Sequence, residues 1–385
     1  MSEQPMKIGM LVDTYLPIIG GAEIHVLELS RSLRNLGHKI SICTAVATNN
    51  AEVQEEFPVT RISCLSGGHW RVFLSIPLAL PRLIKFIGQV DYLHCHYSFL
   101  LAMLGTVLGR LLGKKTAVTL HGLGTLDSSV GKSQFWRLYR FVSLKCAHMI
   151  IATSDEMKAV ALRFAPEEKI VIISNGVNTD VFVPRARQEK EALVVLTMRR
   201  LAPKNGVQYL VEAAPAVTAA LPNVQFWVAG EGKLEGHIRQ RVAALHLEKH
   251  FRFIGLVPHA QTASYYQQAD IVVFPSSAES TSLACLEAMA CEKAIVASNL
   301  SAYQEMLGTE EERGLLVRLF DREDSDYNAP LSLPGERIEA FAQAIIRLAD
   351  NEDLRRRMGE RSRQYVVENF DWRKIAVETL RVYQE

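Results

Sequence analysis

The stretch that most constrains this chain is IVVFPSSAESTSLACLEAMACEKAIVAS, Ile271 to Ser298. A short apolar run from Ile271 leads into a small-residue loop. Leu283 to Cys291 is rich in Ala, Leu and Met and lacks Gly and Pro, which favours helix. AIVAS, Ala294 to Ser298, then has the character of a second buried strand. Strand, loop, helix, strand is the crossover that joins parallel strands, so the fold class is α/β. Two glutamates stand in this unit with seven residues between them, Glu279 in the loop and Glu287 in the helix body. The helix start near Thr281–Leu283 offers backbone amides and partial positive charge to a phosphate. Eight helical steps span roughly 12 Å, too far for an acid/base dyad. That separation suits carboxylates gripping the two ends of an extended ligand with an anionic middle. On physics alone each reads first as a plain charge, Glu287 on a solvated helix face and Glu279 in a loop near the helix dipole.

The rest of the chain repeats this alternation. Lys7 to Asp13 is a buried-strand run, Ala22 to Leu36 carries apolar residues at helical spacing, and Gly37 closes that helix before the strand KISICTAV. The intervening loop lacks the G-x-G-x-x-G dinucleotide fingerprint. Its Gly20–Gly21 pair still allows bare backbone to approach a phosphate, and a structural turn is the equal alternative. Asp91 to Phe99 presents His94 and His96 on one side of a strand, as a metal pair requires, but no third ligand of matching spacing follows. Thr116 to Gly124 delivers His121 to a strand's C-terminal end, where open α/β sheets bind ligands. HMIIATSD and KIVIISNGVNTDVF supply further strands. Pro184 to Ala192 is charged and poor in apolar residues, and it has the composition of an interdomain linker. A fresh series follows, with strands in ALVVLTM, NVQFWVAG, FRFIG, DIVVFP and AIVAS, and two charged amphipathic helices close the chain.

Composition narrows the function. A length of 385 residues suits two domains, and 48% hydrophobic with 22% charged residues describes a soluble globular protein. A net charge of +1 gives no basis for binding nucleic acid. No apolar run spans a bilayer, the N-terminus lacks a secretory h-region, and the six cysteines are scattered without a C-x-x-C pair. A reducing cytoplasm without disulfides is expected. Residues 67–115 are apolar and dotted with bases (Trp70, Arg71, Phe73, Arg82, Lys85, Phe86, Arg110, Lys114, Lys115), and the chain stays basic through Lys145. Helices packed on a sheet with basic ends account for this, as does an amphipathic surface resting on anionic lipid. Asp324–Ser325–Asp326 imitates a metal-binding D-x-D but follows no strand, and a solvated loop is expected there.

The Glu279/Glu287 pair within LEAMACEKAIVAS resembles the E-x7-E signature of family 4 glycosyltransferases, retaining enzymes of the GT-B fold. Glu292 and Ala294 stand where that signature usually has Gly and Pro, and Thr281 and Ser282 where it has an aromatic residue and Gly. GGAE ending at Glu23, NGV from Asn175, VAGEGKLE around Gly230 and FIGLVPH follow in the family's order. In MRRLAPKNG, Arg199 replaces the usual Gly, Arg200 aligns with the Arg, Asn205 fills the Lys column, and Lys204 sits one place early. The resemblance implies two doubly wound Rossmann-like domains facing each other across a cleft. They are residues 1–183 on the acceptor side, with a crossover helix at about 370–385 packing back on it, and 184–369 on the donor side. It places His121 and Glu279 at the donor sugar as catalytic residues. Gly20, Gly21, Ser282, Leu283, Arg200 and Lys204 are assigned to the donor phosphates, Gly230 to the donor site at its strand-to-helix turn, Val257 to the base and Glu287 to the ribose hydroxyls.

The activity implied is retaining transfer from a nucleoside-diphosphate sugar, UDP ahead of GDP, to a hydroxyl of a glycan, lipid-linked or small-molecule acceptor. The front-face route is expected, in which the leaving phosphate helps deprotonate the acceptor, and a nucleophilic Glu279 stays open. No metal cofactor and no nucleic-acid partner are expected. The expected location is cytoplasmic, with peripheral contact to the anionic inner face of a membrane. The rivals are a GT-B epimerase acting on the donor alone and a non-catalytic nucleotide-sugar-binding protein. The displaced Lys204 and the departures at Glu292 and Ala294 lean toward the second.

Overall fold

The computed structural model describes residues 4–18, 20–45, 55–62, 69–97, 100–122, 141–185, 192–321 and 329–384. The chain divides into two compact units, Met1–Gly176 with Trp372–Glu385, and Val177–Asp371. Each is built on one sheet whose strands run parallel. Strands buried on both faces are read as continuous apolar runs, and β1 (Lys7–Val12) is buried at every position after Lys7.

The first unit adds β2 (Lys39–Thr44), β3 (Val59–Arg61), β4 (Tyr92–Tyr97), β5 (Lys115–Leu120), β6 (Met149–Ala152) and β7 (Ile170–Ile172), in the order β3-β2-β1-β4-β5-β6-β7. Strand order reverses between β1 and β4, which pair Ile8 with Tyr92 through Leu11 with Cys95. Ligands of doubly wound sheets bind beyond the strand ends at such a switch. Helix α1 (Gly21–Asn35) follows β1 and opens at that edge. Helices α2 (His69–Gly88) and α3 (Leu100–Leu111) cover the sheet: Leu83, Phe86, Ile87, Leu101 and Ala102 join the core with Leu93 and Val118. Arg82, Lys85, Arg110 and Lys115 are exposed. Packed helices with outward bases therefore account for most of this apolar stretch, although Leu111 and Leu112 remain 76% and 42% exposed beside Arg110. Lys132, Arg137 and Arg140 lie outside the described residues, as do the side chains of Trp70, Arg71 and Phe73. α4 (Asp155–Ala161) starts at Ser154, whose hydroxyl accepts from Met157 N.

The second unit holds β8 (Val194–Met198), β9 (Gln225–Ala229), β10 (Phe251–Gly255), β11 (Ile271–Phe274), β12 (Ala294–Ser298) and β13 (Leu315–Val317), in the order β10-β9-β8-β11-β12-β13. Here the switch lies between β8 and β11, which pair Ile271 with Val195. Helices α5 (Val207–Ala220), α6 (Glu235–Ala244), α7 (His259–Gln268), α8 (Leu283–Ala290), α9 (Ser301–Leu307), α10 (Gly335–Asp350) and α11 (Glu352–Asn369) complete it. The last helix, α12 (Trp372–Gln384), belongs to the first unit, where Tyr383 Oη lies 2.6 Å from His94 Nδ1.

The chain passes between units at Gly176/Val177, seven residues before the boundary that composition suggests. Val177 and Phe182 are buried in the second unit's core beside Phe274 and Leu286. Arg363 of α11 also donates to the carbonyls of Thr179 (3.2 Å) and Phe182 (2.7 Å). Residues 177–183, which the sequence reading gave to the first domain, are thus anchored in the second. Among the described residues, no helix is long and apolar enough to cross a membrane, and Cys43, Cys95, Cys146, Cys285 and Cys291 are free thiols.

Candidate active site

At the switch of the second unit, the turn after β8 meets the loop after β11. Ser277 N donates to Lys204 O at 2.8 Å, locking the two together. Gly206 ends the turn Pro203–Asn205 at φ 70°, and a Cβ there would lie 1.8 Å from Pro275 O. Only glycine allows that approach. Across this junction lies Arg199. Its guanidinium donates to Ser282 Oγ (2.9 Å), Ser276 Oγ (3.1 Å) and Asn205 Oδ1 (3.1 Å), and pairs directly with the Glu279 carboxylate. Both side chains are close to buried, at 10% and 13% exposure. Burial works against both charges. The pair overcomes it, so the Arg199 pKa is raised, and Arg199 followed by Lys204 holds Glu279 below the ordinary carboxylate range.

Ser282 caps α8, its hydroxyl accepting from Cys285 N at 3.3 Å, and Leu283 is the first helical residue. Residues 279–282 are therefore loop, and Glu279 and Glu287 are not eight helical steps apart. Glu287 does not lie on a solvated helix face: it is 7% exposed and bonded to His259 Nε2 at 2.9 Å. Val257 lies just ahead of α7, packed on the core that contains Phe274. Gly230, at φ 129°, presses its backbone onto the turn after β8, and a Cβ would lie 2.1 Å from Arg199 O. Arg200 is exposed and does not share Arg199's contacts. Lys204 is half-buried. Burial chiefly lowers its pKa, with repulsion from Arg199 and Arg200 adding to it and attraction to Glu279 opposing.

In the first unit, Gly20 caps and Gly21 opens α1 at the β1/β4 switch, and Thr14 donates to Glu23 in its first turn. Around the adjoining strand ends lie four imidazoles. His121, just past β5, shares a hydrogen bond of 3.0 Å from Nε2 to His96 Nδ1 and stacks on that ring. His25 donates from Nδ1 to Asn175 Oδ1 at 2.8 Å and packs edge-on against His121 and Trp372. Its Nε2 is buried without a partner among the described residues. His94 packs against His96, ring centroids 4.3 Å apart, but makes its hydrogen bonds elsewhere, to Tyr383 and to Thr119 Oγ1, each at 2.6 Å. Burial depresses all four, His25 to about 4 and His94 to about 3, with His96 and His121 also well below the usual value; neighbouring imidazoles add to the effect for the last three. The rings are neutral at physiological pH.

Sequence spacing pairs His94 with His96 and offers no third ligand; the fold instead groups His96 with His25 and His121. Ligand nitrogens of His25, His96 and His121 lie within 4.8 Å of one another. Two of these rings are already bonded to each other, and the third is held by Asn175. Asp324 and Asp326 lie outside the described residues.

Arg199, His25, Asn175 and His259 are partners that the sequence reading did not assign. Arg199 alone left a signal, its departure from the motif coinciding with that of Asn205.

The chain is similar to known proteins over nearly its whole length. Residues 19–181 match the Glycosyltransferase Family 4 model and residues 180–365 the Glycosyl transferases group 1 model. A phosphatidyl-myo-inositol mannosyltransferase of Mycobacterium tuberculosis is 28% identical, covering 98% of this chain and 97% of its own. A phosphatidylinositol N-acetylglucosaminyltransferase subunit from Arabidopsis thaliana is 27% identical over 80% of this chain and 70% of its own. Among solved structures, a Rickettsia africae glycosyltransferase superposes with a TM-score of 0.77 at 21% identity, covering 99% of this chain and 98% of its own. Anabaena HepE in complex with UDP gives 0.75 at 17%, covering 98% and 100%. With two Rossmann-like domains of the GT-B type and both family models matched in sequence order, the chain belongs to the family 4, group 1 glycosyltransferases.

Proposed function

We propose that the protein transfers a sugar, with retention, from a nucleoside-diphosphate sugar to a hydroxyl of a lipid-linked or glycan acceptor. UDP is the favoured nucleotide over GDP. The observation that carries this is the Arg199–Glu279 pair beside the start of α8. Cations and a helix N-terminus there suit a diphosphate, and one carboxylate suits a sugar's hydroxyls. Glu279 binds the sugar, Glu287 the ribose with His259 orienting its carboxylate, and Val257 lines the base. The amides of Ser282 and Leu283, Arg200, Lys204, Gly20 and Gly21 serve the phosphates, and Gly230 shapes the donor site by its close approach to the turn that carries Arg199.

The front-face route is favoured over a nucleophilic Glu279, because a carboxylate whose charge is neutralised by a guanidinium is a poor nucleophile. The leaving phosphate takes the acceptor's proton while cations stabilise its developing charge. His121 is a neutral imidazole held by His96, suited to hydrogen-bonding a sugar hydroxyl. No metal is required, since guanidinium, ammonium and helix amides supply the positive charge.

Two relatives are named for phosphatidylinositol acceptors, which supports a lipid-linked acceptor. The basic end of α3, with exposed Leu111 and Leu112, is proposed to contact anionic membrane from the cytoplasmic side. The test is a thermal-shift screen of UDP-, GDP- and ADP-sugars followed by anomer analysis of product formed on lipid acceptors. Stabilisation by one nucleotide sugar and a retained anomer are expected. An inverted product, or an epimerised donor without acceptor, would refute the proposal.

A further inference from the structure

We infer that Arg199 is the side chain that meets the donor diphosphate in the second unit, standing where a lysine at position 205 would otherwise act. This rests on the transferase reading above and names a residue for it. Arg199 leaves β8 at the switch point and turns inward, so it is not a surface charge. It reaches the cap of α8 through Ser282, at the place where helix amides favour an anion.

Charge at this point is unbalanced. Arg199 and Lys204 both act on Glu279, so two cations share one carboxylate. A helix start adds about half a positive charge. An anion of charge two, such as the diphosphate of a nucleotide sugar, offsets that excess. The guanidinium has a fork of five donors and can hold a phosphate oxygen while keeping Glu279 directed at the sugar.

The contact with Asn205 explains why two motif positions depart together. Arg199 Nη2 lies 3.1 Å from Asn205 Oδ1, so side chains from 199 and 205 reach one point. A lysine at 205 would bring its ammonium against the guanidinium. A neutral acceptor there removes the repulsion, and Asn205 Nδ2 is meanwhile anchored on Arg200 O at 2.7 Å.

The experiment is calorimetric titration of the full chain with uridine, UMP and UDP, and with the guanosine series in parallel. In R199G, affinity for the diphosphate should fall at least about tenfold, equivalent to ~1.4 kcal/mol, while nucleoside affinity changes less than about twofold. R199G/N205K should regain most of the loss. R199G/E279Q removes both members of the pair, so no buried charge is stranded. It should still bind the diphosphate weakly, which keeps the test valid if R199G alone does not fold. Unchanged diphosphate affinity in R199G would assign the role to Lys204 and overturn the inference. Equal loss for nucleoside and diphosphate would reduce Arg199 to a structural partner of Glu279. No gain from N205K would break the link between the two positions. Should the wild type bind neither UDP nor GDP, the donor reading itself falls and takes the inference with it.

Discussion

Acidification from about pH 7.5 to about pH 5.5 should loosen the first unit and spare the second. The cause is the imidazole cluster. His25 and His94 have folded values of about 4 and about 3 against an ordinary 6.5, mainly because burial disfavours the imidazolium. Below pH 6.5 the unfolded chain takes protons that the folded unit refuses, so stability falls as pH falls. Above 6.5 neither state binds them and the effect vanishes; the loss ends only below the folded values. Each group contributes about 1.4 kcal/mol per pH unit inside this window. At about pH 5.5, His25 and His94 together therefore cost roughly 2–3 kcal/mol, and His96 and His121 act in the same direction. Against a typical total of about 5–15 kcal/mol, that is a large fraction. Glu279, held low by Arg199, loses its contribution only as pH falls through the carboxylate range, so the second unit is an internal control. Hydrogen exchange read by mass spectrometry, corrected for intrinsic rates, should show protection falling in β4 and β5 peptides but not in β11 and β12. His94→Gln keeps hydrogen-bonding groups for Tyr383 and Thr119 and removes one titrating ring. It should shrink the loss at pH 5.5 by about 1.4 kcal/mol. Equal behaviour of the two units would refute the reasoning, since it would mean the cluster is protonated or hydrated in the folded state.

Three further outcomes are expected. Glu287→Ala should weaken binding of the bare nucleoside diphosphate about tenfold or more, the value of a charge-assisted bond to the ribose diol. His259→Ala should reproduce part of that loss, and equal calorimetric affinities in all three proteins would remove Glu287 from the site. Sugar transfer should survive saturating EDTA, and activity abolished by EDTA and restored by Mn²⁺ or Mg²⁺ would contradict the metal-free proposal. Anionic vesicles should pellet the protein at low ionic strength, less so as salt rises, and less again when Arg110, Lys114 and Lys115 are changed together to Ser. Each base contributes about 1 kcal/mol near such a surface, and absence of lipid-dependent pelleting would leave a soluble acceptor.

What the sequence made legible was whatever depends on local pattern. β8, β11 and β12 are continuous apolar runs because they are buried on both faces, and the helices between them carry the matching composition. The order of these elements, with the Glu279 and Glu287 spacing, was enough to reach the family. The domain boundary was less visible because composition marks a charged run, whereas the boundary is set by which core Val177 and Phe182 pack into. Residues 177–183 run on from NGV as if they closed the first domain, but Arg363, nearly two hundred positions later, holds the carbonyls of Thr179 and Phe182. The His25 contact with His96 and His121 was hidden for a similar reason. It requires β1, β4 and β5 to be neighbours, and spacing along the chain does not encode sheet order.

Arg199 and Arg200 show where alignment to a motif stops short of chemistry. Successive residues at a strand end project to opposite sides, so a difference of one position decides whether a guanidinium meets Glu279 or solvent. Column matching selected Arg200, which is exposed, and treated Arg199 as a departure. The physical clue was the joint change at 199 and 205: a cation gained at one position and lost at the other conserves charge at one point in space. A departure from a motif that is balanced by a second departure within reach of its side chain therefore argues for function moved, and not for function lost. On that ground the substitutions around Lys204 support a working transferase and not a non-catalytic relative.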